Sequence, residues 1–104
     1  MHQQTLAAPQ QFLAFTLGGL EYGVDYAAVQ ELKVFSALER FSSDGEIIGG
    51  VALSHGVIMP VVDLRAAFAA AFCAPAPDTD VIIVRVPAGL VGLVVERVTG
   101  VRRM

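Results

Sequence analysis

The stretch "GGVALSHGVIMPVVDLR" (residues 49–65) decides how this chain folds. Two glycines open it, and apolar residues then run almost unbroken. The one ionisable group before Asp63 is His55, set beside Gly56. Ile47 to Leu53 and Val57 to Val62 read as two strands of a hairpin that turns at Ser54-His55-Gly56. Their apolar side chains do not alternate with polar ones, so both faces are expected to be covered. Pro60 lacks a backbone donor and points to an edge or a bulge. Asp63 reads as the cap of a helix, "LRAAFAAAFCA", whose Leu64, Phe68 and Phe72 form a core-facing stripe. Pro75 and Pro77 end that helix.

Working outward, "FLAFTLGGLEYGVDY" reads as a hairpin, Phe12 to Leu17 and Leu20 to Val24, turning at Gly18-Gly19. Asp25 offers an N-cap for a short helix from Tyr26 to about Lys33, with Val29 and Leu32 on one face. After the linker-like "APAPDTD", the run "VIIVRVPAGLVGLVVERVTGVRR" (residues 81–103) forms another hairpin at Pro87-Ala88-Gly89. Set against the first hairpin it shows a faint repeat, offset 70 at Leu20 and Leu90 and 69 at Val29 and Val98. The organisation expected is a flexible arm over 1–11 and one domain over 12–104. Within it lie a first subdomain (12–74), a linker (75–80) and a partial second subdomain (81–104). A second unit this short leaves strands 81–98 with unpaired edges and an uncovered apolar face. A shortened chain, completion by a second copy and partial disorder near the C-terminus would each account for that. Self-association is the outcome expected.

Composition narrows the function. Of 104 residues, 55% are hydrophobic and 16% charged, which excludes disorder and leaves apolar surface to spare for a partner. The uncharged segment Ile47 to Val62 contains glycines, a proline and a histidine, so it does not read as a membrane span. "MHQQTLAAPQQ" has no basic region ahead of an apolar one, so no secretory leader is expected. The net charge is −3 with scattered basic residues, so nucleic acid finds no electrostatic footprint. The single cysteine, Cys73, reads as a small buried filler, and a reducing cytoplasm is the expected compartment.

Catalytic candidates are few. Ser54 and His55 are adjacent, and neighbours on a strand or turn point to opposite faces, which makes a poor nucleophile–base pair. Two histidines and one cysteine make no metal constellation, and Gly49-Gly50 does not introduce a phosphate loop. No catalytic activity, metal or cofactor is expected.

Three segments, "FLAFTLGGLEYGVDYAAVQELK", "IIGGVALSHGVIMPVVDLR" and "VIIVRVPAGLVGLVVERVTGV", together resemble the CheW-type chemotaxis coupling proteins, from about Phe12 to Val101. The motifs "YGVD", "VQE" and "GVIMPVVDLR" carry the likeness. The regulatory domains of the partner kinase and receiver-linked coupling proteins are similar in fold. The resemblance implies a mainly β fold: two SH3-like five-stranded β-barrels with one or two short helices, the second barrel incomplete in this chain. It also implies a non-catalytic cytoplasmic adaptor, peripheral to membrane receptor arrays. Such an adaptor joins the cytoplasmic tips of chemoreceptors to the regulatory domain of a chemotaxis histidine kinase. Alternatives are a similar module of another chemosensory-like or pilus-motility pathway, or a divergent, self-associating paralogue.

Carried over by the resemblance, the receptor-binding positions are Val29, Glu31, Gly50, Val51 and His55. The family's turn reads Asn-Leu-Arg-Gly, and its arginine pairs with the glutamate of "VQE". Here the turn is Leu53-Ser54-His55-Gly56, so His55 stands where the arginine would be. A permanently charged fork gives way to an imidazole that changes charge near neutral pH. His55 is expected to face Glu31 in a weaker pair that strengthens as pH falls. The plainer alternatives are a turn histidine in water and a surface acid.

Overall fold

The computed structural model describes residues 10–40, 50–67 and 75–103. Nine strands are described: β1 (Gln11–Leu17), β2 (Leu20–Asp25), β3 (Val29–Val34), β4 (Glu39–Arg40), β5 (Val51–Ser54), β6 (Val57–Asp63), β7 (Asp80–Val86), β8 (Gly89–Val94) and β9 (Arg97–Arg103). They form a three-stranded sheet, β2-β1-β9, and a six-stranded sheet, β3-β7-β8-β6-β5-β4. The fold is mainly β, and only single 3₁₀ turns punctuate the described strands.

The three hairpins expected from the sequence are present, with β1 beginning at Gln11. Of the strand expected from Ile47, residues 47–49 lie outside the described residues, Gly50 is in a 3₁₀ turn and β5 begins only at Val51. Gly18 and Gly19 both adopt positive φ, as a two-residue turn of matching twist requires. The helix expected from Tyr26 to Lys33 is not there. A single 3₁₀ turn, Tyr26–Ala28, is capped by Asp25, whose carboxylate accepts from the Ala27 amide at 3.0 Å. Val29 to Val34 is then extended and ladders onto β7. A two-turn helix is marginal, whereas β-branched Val29 and Val34 suit a strand, and β7 satisfies the backbone.

Asp63 does act as a cap. Its carboxylate accepts from the Arg65 amide at 3.0 Å and holds the Arg65 guanidinium at 3.0 and 2.8 Å. The capped turn is again 3₁₀, Leu64–Ala67, where an α-helix was expected, and Phe68, Phe72 and Cys73 lie outside the described residues. Pro60 sits where β6 changes partner. Val51↔Pro60 is the end of its pairing with β5, and the parallel pairing with β8 starts at Val61. The missing donor falls where the ladder hands over.

The weak repeat becomes exact in the structure. β1 and β7 correspond at an offset of 69, as do β2 and β8 (Leu20 with Gly89, not with Leu90). Even the irregularities match. β3 pairs with β7 at Val29↔Val84 and Glu31↔Ile83, leaving Gln30 as a bulge. β9 pairs with β1 at Val98↔Phe15 and Gly100↔Ala14, leaving Thr99 as a bulge. Each unit lends its third strand to the first strand of the other.

That exchange corrects the expected open edges on strands 81–98. β7 lies between β3 and β8, β8 lies between β7 and β6, and β9 pairs with β1. The 75–80 stretch is likewise tied down: the amides of Phe35 and Ser36 donate to the carbonyls of Thr79 and Pro77 at 2.8 and 3.0 Å.

Two hydrophobic cores lie on opposite faces of β7. Ile82 and Val84 join Leu13, Phe15, Leu17 and Val95. Val81 and Ile83 join Leu38, Ala52, Met59 and Val94. β5 and β6, by contrast, are covered on one face only, although both were expected to be. Ala52, Ser54 and Met59 point inward, while Val57, Ile58 and Val62 remain exposed. A curled sheet has an inside to fill, and its outer face waits for something else.

Replacing Ile83 by Ala should cost about 2–5 kcal/mol of unfolding free energy, read by urea denaturation, because the cavity opens in a wall shared by two cores. A cost like that of an exposed site, under about 0.5 kcal/mol, would contradict this packing.

The Thr99 bulge aims its hydroxyl at Glu21, which accepts from Thr99 at 2.8 Å and from the Arg102 guanidinium at 3.2 and 3.1 Å. The Thr99 hydrogen bond first, then Arg102, holds the Glu21 carboxyl below the usual carboxylate range. A depressed carboxylate adds stability above its unfolded value, near 4.3 for Glu, and that contribution disappears as pH falls through the folded value. Thermal melts of wild type and Glu21→Gln should therefore differ at pH 7 and converge in acid.

Candidate functional site

His55 is the tip of the β5–β6 turn. Its φ is 51° and that of Gly56 is 80°, the paired positive values that a two-residue hairpin demands. Histidine, with Asn and Asp, tolerates this region better than most residues. The turn throws the ring outward, and 72% of its side chain is exposed. Its Nε2 lies 3.0 Å from Oε1 of Glu31, a distance at which an Nε2–H donates to the carboxylate.

That contact reports the shape of the sheet. Three strand spacings of about 4.8 Å would hold β3 and β6 roughly 14 Å apart in a flat sheet. The six-stranded sheet therefore curls until β3 meets the β5–β6 turn. Glu31 comes from β3, where the Gln30 bulge shifts the register just before it. Lys33 Nζ stands 3.9 Å from the other carboxylate oxygen, so the acid has a lysine on one side and the imidazole on the other.

The remaining candidates are placed differently. Val29 is half-buried and packs on the core of Leu13, Phe15 and Ile82. Gly50 has a φ of 68°, and a Cβ there would stand 2.7 Å from the Val61 carbonyl oxygen. Its identity is thus accounted for by backbone geometry and close approach to β6. Val51 opens β5 and pairs with Pro60. Gly50 and Val51 lie toward the far end of β5, and four residue rises of about 3.3 Å separate Val51 from His55. The structure brings Glu31 and His55 together; it places Val29 in core packing and Gly50 and Val51 against β6, apart from that pair.

Arg85 went unremarked in the sequence. Its guanidinium donates to Gln30 Oε1 at 2.6 Å and to the Ala27 carbonyl at 2.8 Å, clamping the bulge that sets Glu31 in place. The signal was legible: one arginine interrupts the apolar run "VIIVRV". Exposed apolar side chains share these strands, Leu32 and Val34 on β3 and Val57, Ile58 and Val62 on β6. Exposed apolar side chains of this kind are the raw material of a protein-contact surface.

Ser54 and His55 part company, as strand alternation requires. Ser54 is buried with its Oγ unpaired, while the His55 ring projects into solvent. Among the described residues no group of three or more His, Cys, Asp or Glu is placed to hold a metal ion. Nor, among them, is any helix long and apolar enough to cross a membrane. An unpaired buried hydroxyl costs stability, so Ser54→Ala should raise the unfolding free energy by about 1 kcal/mol. For a domain of this size that is a rise of roughly 4–8 °C in Tm by calorimetry. A fall in Tm would mean that the hydroxyl has a partner after all.

Comparison with known proteins points the same way. The sequence model of the CheW-like domain matches residues 11–104. The chain is 39% identical over 92 residues to the chemotaxis protein CheW of Klebsiella aerogenes, covering 88% of this chain and 55% of that one. The chain thus spans about half the length of this curated relative. Among solved structures, the scaffolding protein TtCheW from Thermoanaerobacter tengcongensis superposes with a TM-score of 0.72 at 28% identity. That match covers 93% of this chain and 66% of TtCheW.

Proposed function

This chain belongs to the CheW-like domain family, and from that premise we propose that it is a non-catalytic signalling scaffold. It couples the cytoplasmic tips of chemoreceptors to the regulatory domain of a chemotaxis histidine kinase. It does so in the cytoplasm, beside membrane receptor arrays, through protein–protein contacts alone. The observation that carries this reading is the His55–Glu31 contact at 3.0 Å. It reproduces, with an imidazole in place of a guanidinium, the pair that the resemblance assigns to receptor binding.

The exposed apolar residues of β3 and β6 give the surroundings such a site needs. Hot spots of binding energy lie in apolar ground, and a charged pair at the border sets orientation. Glu31, held between His55 and Lys33, is arranged to accept a donor from a receptor helix or to orient one. Val29 and Gly50 act from beneath, through core packing and the approach of β5 to β6, and Val51 at the start of β5 continues the surface.

One observation favours a second reading. Histidine in place of arginine offers fewer donors and no fixed fork. A chain so altered fits a related module of another chemosensory-like or pilus-motility pathway whose partner helix differs at the matching position.

Surface plasmon resonance with a soluble receptor-tip helix bundle distinguishes these outcomes. Glu31→Lys should weaken binding by about tenfold, some 1.4 kcal/mol. His55→Arg should keep or strengthen it, and Ser54→Ala should leave it unchanged. Wild-type affinity in Glu31→Lys would remove the pair from the site. A wild-type chain that ignores the receptor tip altogether would favour the second reading.

A further inference from the structure

We propose that Arg85 is a positioning residue for the Glu31–His55 pair: it fixes where β3 carries its extra residue, and so which face of the sheet Glu31 takes. Its part in partner binding rests on the function proposed above, whereas the placement of Glu31 is a property of the fold alone.

The register of β3 on β7 shows what has to be fixed. From Val29↔Val84 to Val34↔Asp80, β3 takes five residue steps and β7 takes four. One residue of β3 must therefore go unpaired. Both ends of the segment are held. Val29 packs on the core of Leu13, Phe15 and Ile82, and just past Val34 the Phe35 amide donates to the Thr79 carbonyl at 2.8 Å. Neither anchor determines which residue between them stands out.

The choice matters because directly opposed residues of an antiparallel pair share a face. With Gln30 unpaired, Glu31 stands opposite Ile83, on the side of the core that holds Ala52 and Met59. Those two residues come from β5 and β6, and the turn between these strands carries His55. Were Leu32 the unpaired residue, Glu31 would stand opposite Ile82, whose side chain belongs to the other core. A shift of one residue turns a strand's side chains over. The carboxylate would leave the face that His55 meets, and the 3.0 Å contact would go with it. Apolar burial does not separate these registers, since Leu32 is already 50% exposed and Val29 and Val34 keep their places in both.

Arg85 separates them. One nitrogen of its guanidinium donates to Gln30 Oε1 at 2.6 Å and another to the Ala27 carbonyl at 2.8 Å. A planar fork with two acceptors fixes direction as well as distance. Both acceptors lie on the chain just ahead of Glu31, so the fork pins the extra residue at Gln30 from the neighbouring strand. The other unit offers a parallel. Thr99, the unpaired residue of β9, is likewise tied by its own side chain, which donates to Glu21 at 2.8 Å. Bulges commonly re-aim a side chain in this way, and here the side chain re-aimed is Glu31.

The test follows Glu31 by NMR in the free protein and measures binding in parallel. Arg85→Ala and Gln30→Ala each remove one end of the clamp at an exposed site, and both should melt within about 4 °C of wild type. In each, the cross-strand Overhauser contacts of Glu31 with Ile83 should weaken and contacts with Ile82 should appear. The His55 ring signals at pH 7 should move as they do in Glu31→Gln. Affinity for the receptor-tip bundle should fall about three- to tenfold in Arg85→Ala. Made in a Glu31→Gln background, the same change should cost less than about twofold, because a residue acting through Glu31 has nothing left to position. Unchanged Glu31–Ile83 contacts and His55 signals in Arg85→Ala would overturn the proposal. So would equal losses of affinity in the two backgrounds, which would make Arg85 a contact residue in its own right. Wild-type affinity in Glu31→Lys, with Glu31 still displaced in Arg85→Ala, would uphold the positioning and remove only its part in binding.

Discussion

Strand β7 is the wall on which the molecule is built. Its residues alternate between two cores, Val81 and Ile83 to one side and Ile82 and Val84 to the other. Each contributes about 1.5–3 kcal/mol by leaving water. A net stability of about 5–15 kcal/mol leaves little room to lose any of them. The same strand accepts β3 on one edge and β8 on the other, so the place of Glu31 is a consequence of β7. Arg85, at the end of that strand, extends the control by clamping the Gln30 bulge.

The candidate site arises from curvature. Glu31 and His55 are 24 residues apart in the chain and belong to strands that are not neighbours in the sheet. Only a sheet rolled on itself brings them to 3.0 Å. The apolar residues left on its outer face, Val57, Ile58 and Val62 with Leu32 and Val34, are the surplus that the composition foreshadowed.

The repeat gives the molecule a second logic. Two units of the same three strands exchange their third members, so neither sheet can form without both. The six-stranded sheet has β4, β5 and β6 added beyond β8, and the three-stranded sheet has nothing described beyond β2. The difference in exposure between β2 and β8, among the described residues, follows from that.

The sequence by itself determined the hairpins, because Gly18-Gly19, His55-Gly56 and Pro87-Ala88 are local turn chemistry that needs no distant partner. Asp25 and Asp63 were legible as caps for the same reason, their carboxylates reaching amides two residues on. The His55–Glu31 pair was legible through likeness to a family, not through spacing. Tertiary structure decided the rest. It turned Val29–Val34 from an expected helix into a strand, because a ladder with β7 outweighs the weak preference of "VQELK". It showed Val29 and Gly50 to be held by packing and backbone approach, which no residue type announces. It also placed β7 and β8 between partners where open edges were expected, since strand exchange is a matter of long-range pairing, and local sequence carries no record of which strand lies alongside.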